Sequence, residues 1–498
     1  MTTGPAVSSD AAERKVHPRR WAILAVIAVC QLMLVLDSSI VTIALPQAQH
    51  DLGISTADRH WVVTAYALAF GGLLLLGGRI ADYAGRKRVF VIGLIGFAIA
   101  SALGGLAPNA LVLFGARGLQ GAFAAVMAPA ALSLLAVTFT SGRDRATAFS
   151  VYGGISGGGA ALGLILGGVL TEFTSWRWCL LVNVPIALIT AAFAIRLMRE
   201  SRATGTAHYD IPGALTVTIG LISLVWGLSQ AGTVGWAAAS TITFLAIAVV
   251  LLVAFIVIES HVAYPLLPLR IVLNRSRGGA FLAAVLSAAG LYGMFLFLTF
   301  YLQGTLKFSA LEAGFAFLPF SVGIVIGATI TSRVLPKAGP RIIMTIGMFL
   351  AALGLFWFTQ IGLDDNYLVH VLPGEIVVSV GMGIVFVTVS STALIGVRDN
   401  DSGVASAFIN TSQQVGGALG TALLNTIAAT ATVAYLSAHH GTGVQPAANL
   451  HGYQLAFLVA GIMLAVGGML TAALVRSIQP DGSSRMSNIS DRPSGSVT

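Results

Sequence analysis

Apolar runs of about 20 residues, separated by short polar connections, recur from residue 21 to residue 475. A run of that length is what an α-helix needs to cross a hydrocarbon layer of about 30 Å, since each residue advances only about 1.5 Å. The pattern predicts spans near 21–46, 58–78, 89–107, 110–137, 146–170 and 179–198. Two more follow near 211–230 and 238–258, then six near 278–303, 312–332, 342–361, 368–395, 403–433 and 453–475. The expected fold is therefore an all-α integral membrane protein of about 14 transmembrane helices, two six-helix bundles with two inserted helices. Residues 21–198 form the N-terminal bundle, 199–276 hold the two additional helices and their linkers, and 277–476 form the C-terminal bundle. The flanks 1–20 and 477–498 are expected to be tails, the second one disordered.

Composition strengthens this picture. The chain is 56% hydrophobic and 9% charged, whereas a soluble domain carries about 25% charged residues. Arg14, Lys15, Arg19 and Arg20 precede the first apolar run in the manner of a signal peptide, but that run contains Asp37 and continues to Pro46, so an uncleaved first span is expected. Of the 27 Lys and Arg residues, 23 fall in the N-terminal tail, the even-to-odd connections and the C-terminal tail. Positive charge collects on the cytoplasmic side, so the expectation is a multi-pass protein of the cell membrane with both termini cytoplasmic.

The net charge of +8 is spread over these short loops, which argues against nucleic acid as a partner. Cys30 and Cys179 lie inside apolar spans, so no disulfide framework is expected. The nine histidines show no metal-ligand spacing, and there is no nucleotide-binding loop of the Walker A type. Neither a metal, a cofactor nor an enzyme centre is expected, which leaves an ion gradient or the substrate itself as the source of energy.

The chain carries an internal repeat. Gly78-Arg79-Ile80-Ala81-Asp82-Tyr83-Ala84-Gly85-Arg86-Lys87 is echoed by the stretch from Ser332 to Arg341, displaced by 254 positions. Gly159-Ala160-Ala161-Leu162-Gly163 is echoed by Gly416-Gly417-Ala418-Leu419-Gly420, displaced by 257. Duplicated bundles of this kind enclose a central site in many transporters. In the second copy Pro336 stands where the first has Asp82, so the two loops differ electrically.

Few polar groups lie within spans, and those few carry the chemistry. An acid at mid-span costs about 3 kcal/mol or more unless it faces a polar cavity or carries a proton. Asp37 is such an acid, and Gln31, Ser38 and Thr42 extend a polar stripe beside it that predicts a cavity wall. It is the first candidate for proton coupling; a carboxyl satisfied by a neighbouring helix is the bland alternative. Arg117, Gln120, Gly121 and Ala124 make one polar and small face of the fourth span. An intramembrane arginine stays charged and needs carboxylate, carbonyl or water partners, so a helix tie competes with a role in coupling.

Glu375 is the second acid, placed near a helix end, either in a cavity or snorkelling to the interface. Tyr292, Phe295, Thr299 and Gln303 share a face of the ninth span, and Asn410, Gln413, Gln414 and Gly417 share one of the thirteenth. These faces either contact substrate or pack helices together. Gly159, Gly163, Gly167 and Gly168 crowd the fifth span and predict a close helix interface.

Taken together, these stretches resemble the major facilitator superfamily, specifically its fourteen-span drug:proton antiporter family of the multidrug efflux type. The resemblance covers about residues 20–476 and rests on Leu36 to Pro46, Gly78 to Arg88, Arg117-Gly118-Leu119-Gln120-Gly121, and Trp176-Arg177-Trp178 with Asn183-Val184-Pro185. It implies a gate latch of Gly78, Asp82, Gly85 and Arg86, in which Asp82 holds a helix N-terminus and nearby arginines. It also ties Arg117 to proton transfer; with the polar groups read above, the expected coupling residues are Asp37, Arg117 and Glu375, and the expected substrate cavity holds Gln31, Ser38, Gln120, Tyr292, Thr299, Asn410 and Gln413. The fifth span departs from the antiporter pattern, because Gly163 is followed by Leu164 where that pattern has proline.

The implied function is secondary active export of hydrophobic or cationic small molecules, drugs and antibiotics among them, by proton antiport. The implied partners are a small-molecule substrate, protons and membrane lipid, with no oligomer required. Transport of a single endogenous metabolite, lipid or self-made antibiotic is the alternative within transport. A transport-inactive receptor or scaffold is the alternative of another class.

Overall fold

A computed structural model describes residues 19–139, 142–202, 210–263, 265–395, 397, 402–439 and 444–476. The two expected tails fall outside the described residues, apart from Arg19 and Arg20. Within the described residues the chain is all-helical, with no strand. Lipid offers no partner for a backbone N–H or C=O, and a helix satisfies every one of them within a single segment.

The helices are α1 (Arg20–Asp51), α2 (Trp61–Ala84), α3 (Arg86–Gly105), α4 (Ala110–Thr138), α5 (Gly142–Phe173), the short α6 (Trp178–Leu181) and α7 (Asn183–Leu197). They continue with α8 (Ile211–Val234), α9 (Ala239–His261), α10 (Leu269–Val272) and α11 (Arg275–Phe300). Then come α12 (Ala310–Ala316), α13 (Leu318–Trp357), α14 (Leu372–Leu394), α15 (Ser402–Ala438) and α16 (Val444–Leu474). Side chains that satisfy first-turn amides mark several starts: Asn109 accepts from Val112 N, Asp210 from Gly213 N, and Ser309 with Glu312 forms a reciprocal capping box.

Several boundaries differ from the sequence reading; α2, for one, continues past residue 78 to Ala84. Helix α1 runs through Pro46 to Asp51, because proline removes one hydrogen bond and leaves the remaining ladder to carry the helix onward. Helix α16 starts at Val444, well before residue 453, so it includes a polar first turn that hydropathy alone excludes.

Among the described residues, twelve helical stretches are long and apolar enough to cross a membrane, with a shorter apolar piece at Gly159–Phe173. One of the twelve, Ala310–Gln360, has 51 residues, and at about 1.5 Å per residue it is more than twice as long as a bilayer core is thick. It bends at Gly339, whose φ of 75° leaves the helical region. Gly85, which separates α2 from α3, has φ 115°. The two glycines stand 254 positions apart, the offset of the sequence repeat, and both supply a backbone conformation that a side chain would strain.

Outward faces are apolar. Val249, Val250, Val253, Ile256 and Val257 of α9 are each more than half exposed. A face of this kind is stable in lipid and costly in water. The inserted pair attaches through α8, where Leu221 and Val225 pack with Ala67 and Leu68 of α2 and Ala418 and Ala422 of α15.

Helix α5 lies close on α1: a methyl on Gly159 would meet Val35, on Gly163 Ser39, and on Gly167 Ile40. Gly168 instead faces the backbone of Ala310 and Leu311 on α12. In the second copy Gly416 and Gly420 of α15 abut Val285 and Ala289 of α11. Small residues thus perform the same close approach in both repeats.

Candidate functional site

Asp37 of α1 is fully buried, and four further helices meet it and its partners. Arg117 Nη1 of α4 donates to Asp37 Oδ2 at 2.7 Å, and Asn183 Nδ2 of α7 donates to Oδ1 at 2.8 Å. Gln120 Nε2 donates to Oδ1 at 3.0 Å and reaches Ser101 Oγ of α3 at 2.7 Å. The guanidinium also donates to Gln120 Oε1 at 2.9 Å and to the Val62 carbonyl at 3.0 Å, and it lies 4.6 Å from the Tyr66 ring centroid on α2. Arg117 and Asp37 are 1% and 0% exposed, so neither charge is left to water and each depends on the other. This arrangement can hold one proton in place of one ion pair.

Beside it lies a cavity of about 350 Å³, within the range of small-molecule sites. Ser38, Ser39 and Thr42 of α1 line it, with Tyr292 and Phe295 of α11, Phe320 of α13, Phe386 of α14, and Gln413, Gln414 and Thr421 of α15. Its described lining contains no Asp, Glu, Lys or Arg. Tyr292 Oη reaches Gln414 Oε1 at 3.3 Å, so part of the polar wall is already paired.

Several expected cavity residues lie elsewhere. Successive residues of a helix point about 100° apart; Ser38 and Thr42 therefore face the cavity while Asp37, beside Ser38, turns toward α4 and α7. Gln120 belongs to the Asp37 cluster, and Gln31 is not among the lining residues. Thr299 is buried at 1% exposure and does not line the cavity: it keeps the direction of Tyr292 around the helix but stands about 10 Å further along it. Asn410 is exposed and does not line the cavity, whereas Gln413 and Gln414 do.

Glu375 is separate from the Asp37 cluster. It is fully buried in the first turn of α14 and does not snorkel. Its Oε2 lies 3.2 Å from Tyr367 Oη, which is 2.6 Å from the Ala316 carbonyl. Asn183, Ser101 and Tyr66 complete the Asp37 centre without having been singled out for it. Asn183 stood within a noted motif, but nothing in its spacing showed that it would reach α1.

The loop between α2 and α3 also differs from expectation. Asp82 Oδ1 accepts from Arg86 Nη2 at 2.8 Å and Nε at 3.0 Å, a pair one turn apart. The α3 N-terminal amides of Lys87 and Arg88 donate instead to Glu200, at 3.0 and 3.1 Å. Glu200 also lies against Gly85, where a Cβ would meet its carboxylate, and Gly78 lies near Pro129 of α4. Glu200 therefore takes the helix-terminal partnership expected of Asp82, because the chain after α7 brings it to the positive end of α3.

At the opposite end of the helices, residues before 200 meet residues after 275. Arg59 Nε donates to Asn425 Oδ1 at 2.9 Å, and Asn425 Nδ2 donates to the carbonyls of Thr56 and Ala57 at 3.0 Å each. Gln303 Nε2 donates to the Ile43 carbonyl at 3.0 Å, and Leu311 N donates to Glu172 Oε2 at 3.0 Å. Thr42, Val63 and Thr421 line the cavity, so Ile43, Arg59 and Asn425, within a turn of them along the chain, close it at this end.

Residues 27–421 match the family profile of the Major Facilitator Superfamily. The chain is 47% identical to the puromycin resistance protein pur8 of Streptomyces alboniger over 97% of this chain and 95% of that protein. It is 38% identical to the cephamycin export protein CmcT of Amycolatopsis lactamdurans over 90% and 92%. It is 34% identical to the tetracenomycin C resistance and export protein of Streptomyces glaucescens over 82% and 76%. Among solved structures, the peptide transporter POT in complex with sulfate superposes with a TM-score of 0.63 at 14% identity, covering 91% of this chain and 95% of that one.

Proposed function

The chain belongs to the Major Facilitator Superfamily, and we propose that it is a secondary active exporter of antibiotic-like small molecules, driven by proton antiport. The observation that carries this reading is the juxtaposition of a drug-sized aromatic cavity with a buried carboxylate held by Arg117. Relatives named for resistance to, or export of, puromycin, cephamycin and tetracenomycin C supply the substrate class. Each of those names refers to one compound, which favours a narrow substrate range as the second reading. The aromatic and amide wall suits hydrophobic ligands with hydrogen-bonding groups. A cation would meet no carboxylate on the described lining.

The working arrangement is fourteen crossings. Twelve apolar stretches are increased by one when Ala310–Gln360 is divided at Gly339, and by another when the 32-residue α5 is included. Two six-helix bundles, 21–198 and 277–476, flank the cavity, and residues 199–276 carry the additional pair. With both termini cytoplasmic, the Arg59 end is external and closed, and the Asp82 end faces the cell. A ligand would then enter from the cytoplasmic side.

A proton arriving from outside neutralises Asp37 and weakens its tie to Arg117, which keeps Gln120, the Val62 carbonyl and the Tyr66 ring as partners. Inward movement of the proton contributes about 2.3 kcal/mol per 100 mV of membrane potential. Glu375 can hold a second proton. Tyr367 has one hydroxyl hydrogen and the Ala316 carbonyl is its nearer acceptor, so a protonated Glu375 supplies the hydrogen for its own contact with Tyr367.

The test is transport in proteoliposomes with an imposed pH gradient, using puromycin and a panel of neutral and cationic dyes. Gradient-dependent movement of puromycin or another neutral aromatic compound is expected. Movement that ignores the gradient would remove proton coupling, and no movement of any compound would remove the exporter reading.

A further inference from the structure

We infer that Arg59, Asn425 and His60 form a proton-released latch that holds the external side of the cavity shut. The inference rests on the orientation proposed above. Arg59 is 3% exposed and, among the described residues, has no carboxylate partner. Its guanidinium is held by Asn425 of α15 and lies 4.0 Å from the Phe300 ring centroid and 5.7 Å from those of Phe297 and Tyr453. One side chain from the α1–α2 connection thus binds α11, α15 and α16 at once. Asn425 returns two hydrogen bonds to the same connection, to Thr56 O and Ala57 O. All of these contacts cross from the first repeat to the second, so they must break for the cavity to open at this end.

His60 adjoins this arginine and is itself fully buried. Nδ1 lies 2.8 Å from the Ala57 carbonyl and 3.5 Å from Asn425 Nδ2, while Nε2 has no partner among the described residues. Asn425 Nδ2 donates to the Thr56 and Ala57 carbonyls, so Nδ1 carries its own hydrogen to Ala57 O, and Nε2, with no acceptor among the described residues, is the bare nitrogen of a neutral ring. Protonation would put a second cation beside Arg59 and a donor with no acceptor at Nε2. The charged groups facing His60 are Arg59, which opposes its protonation, and Asp58, which favours it and is drawn aside by Ser55 Oγ at 2.6 Å. The described contacts from α15 and α16 bring Asn425 and Tyr453 to the cluster and no further charge.

Burial, more than any neighbour, pushes His60 down from 6.5 to about 4 while the latch is closed. In an open, hydrated state the ring returns toward its ordinary value. The closed state then prefers the neutral ring, so acid favours opening. No gain appears above the ordinary value; below it the open-to-closed ratio rises by about tenfold per pH unit until the closed-state value is reached. An acidic exterior thus opens the transporter toward the protons that Asp37 uses.

The experiment is a distance measurement between spin labels on Thr56→Cys and Gln445→Cys in proteoliposomes without substrate. Cys30 and Cys179 are both buried, so neither competes for label. Between about pH 7.5 and about pH 5.5 the open-to-closed ratio should rise by about tenfold. His60→Gln should flatten that response, and Asn425→Ala should raise the open fraction at both pH values. A full pH response in His60→Gln overturns the histidine's role, and an unchanged distance distribution in Asn425→Ala overturns the latch. Circular dichroism of each variant identifies a misfolded one, and His60→Asn then replaces His60→Gln with the same two outcomes.

Two controls separate this inference from its premises. A membrane-impermeant thiol reagent that reaches Thr56→Cys only from the cytoplasmic side overturns the orientation, and the external role of the latch with it. Absence of gradient-driven export alongside a normal pH response overturns proton antiport and leaves the latch standing.

Discussion

Two arginines are buried among the described residues, and they are held in opposite ways. Arg117 meets a carboxylate, an amide, a carbonyl and an aromatic ring, all from residues 37 to 120. Arg59 meets an amide and three aromatic rings, all from residues 297 to 453. The first set lies within one repeat and can stay intact while the repeats move against each other. The second set bridges the repeats and can last for only part of a transport cycle. An ion pair, costly to break by movement once buried, stands inside one repeat, where protonation and not movement of the repeats loosens it; a weaker cation–aromatic contact stands across the repeats, where movement must release it.

The largest effect should come from removing the charge of the ion-paired site. Asp37→Asn keeps the shape but leaves Arg117 as a buried cation without its anion, a change of about 3–5 kcal/mol in such pairs. Gradient-driven export should be abolished while the protein still inserts, as read by flux in proteoliposomes and by membrane content. Wild-type flux would remove Asp37 from coupling and erase the functional contrast between the two arginines.

Arg117→Lys comes next. An ammonium keeps the charge but cannot span Asp37 Oδ2, Gln120 Oε1 and the Val62 carbonyl as the planar guanidinium does. Proton-coupled export should fall by about tenfold or more, a loss of about 1.4 kcal/mol or more of barrier stabilisation, with substrate binding much less affected. Poor binding with normal coupling of each bound molecule would make Arg117 a substrate or structural residue.

Arg59→Lys should have a smaller effect of a different kind. It gives up the flat contact with Phe300 and the aligned bond to Asn425, worth about 1 kcal/mol together, and so raises the open fraction at the Arg59 end by about fivefold. Distance measurements should show that shift with little loss of bound substrate. If export collapsed as it does in Asp37→Asn, the two arginines would belong to one functional unit.

Asp82→Asn should be the mildest. The Asp82–Arg86 pair is partly exposed and lies one turn apart on the chain, and such pairs contribute about 0.5 kcal/mol. Export should fall by about twofold, and labelling of the Asp82 end should change slightly. A larger loss would mean that Asp82 exchanges Arg86 for another partner in the opposite conformation.

Some of the site was open to reading before any coordinate was known. Asp37 and Arg117 could be picked out because each is a charge inside a span that permits few charges, and each then required a partner. Asn183, Ser101 and Arg59 carried no comparable signal. Amides and hydroxyls are tolerated in spans for many reasons, and an arginine in a loop is ordinary until the loop is folded under three helices. Asn410 shows the reverse: it shares a stripe with Gln413 and Gln414, but it stands about one turn further along the helix, beyond the cavity wall, and is exposed.

By itself the sequence determined the helical, membrane-embedded class, because hydropathy over about 20 residues is a local property that lipid enforces directly. It also determined the repeat, down to the glycines at 85 and 339 whose backbone no other residue adopts cheaply. The tertiary structure decided which polar groups meet. It turned Asp37 away from the cavity and Ser38 into it, moved the α3 N-terminus from Asp82 to Glu200, and set Arg59 against the second repeat. Those outcomes depend on helix rotation, at about 100° per residue, and on contacts between residues 80 or more positions apart, neither of which a local stretch of sequence fixes.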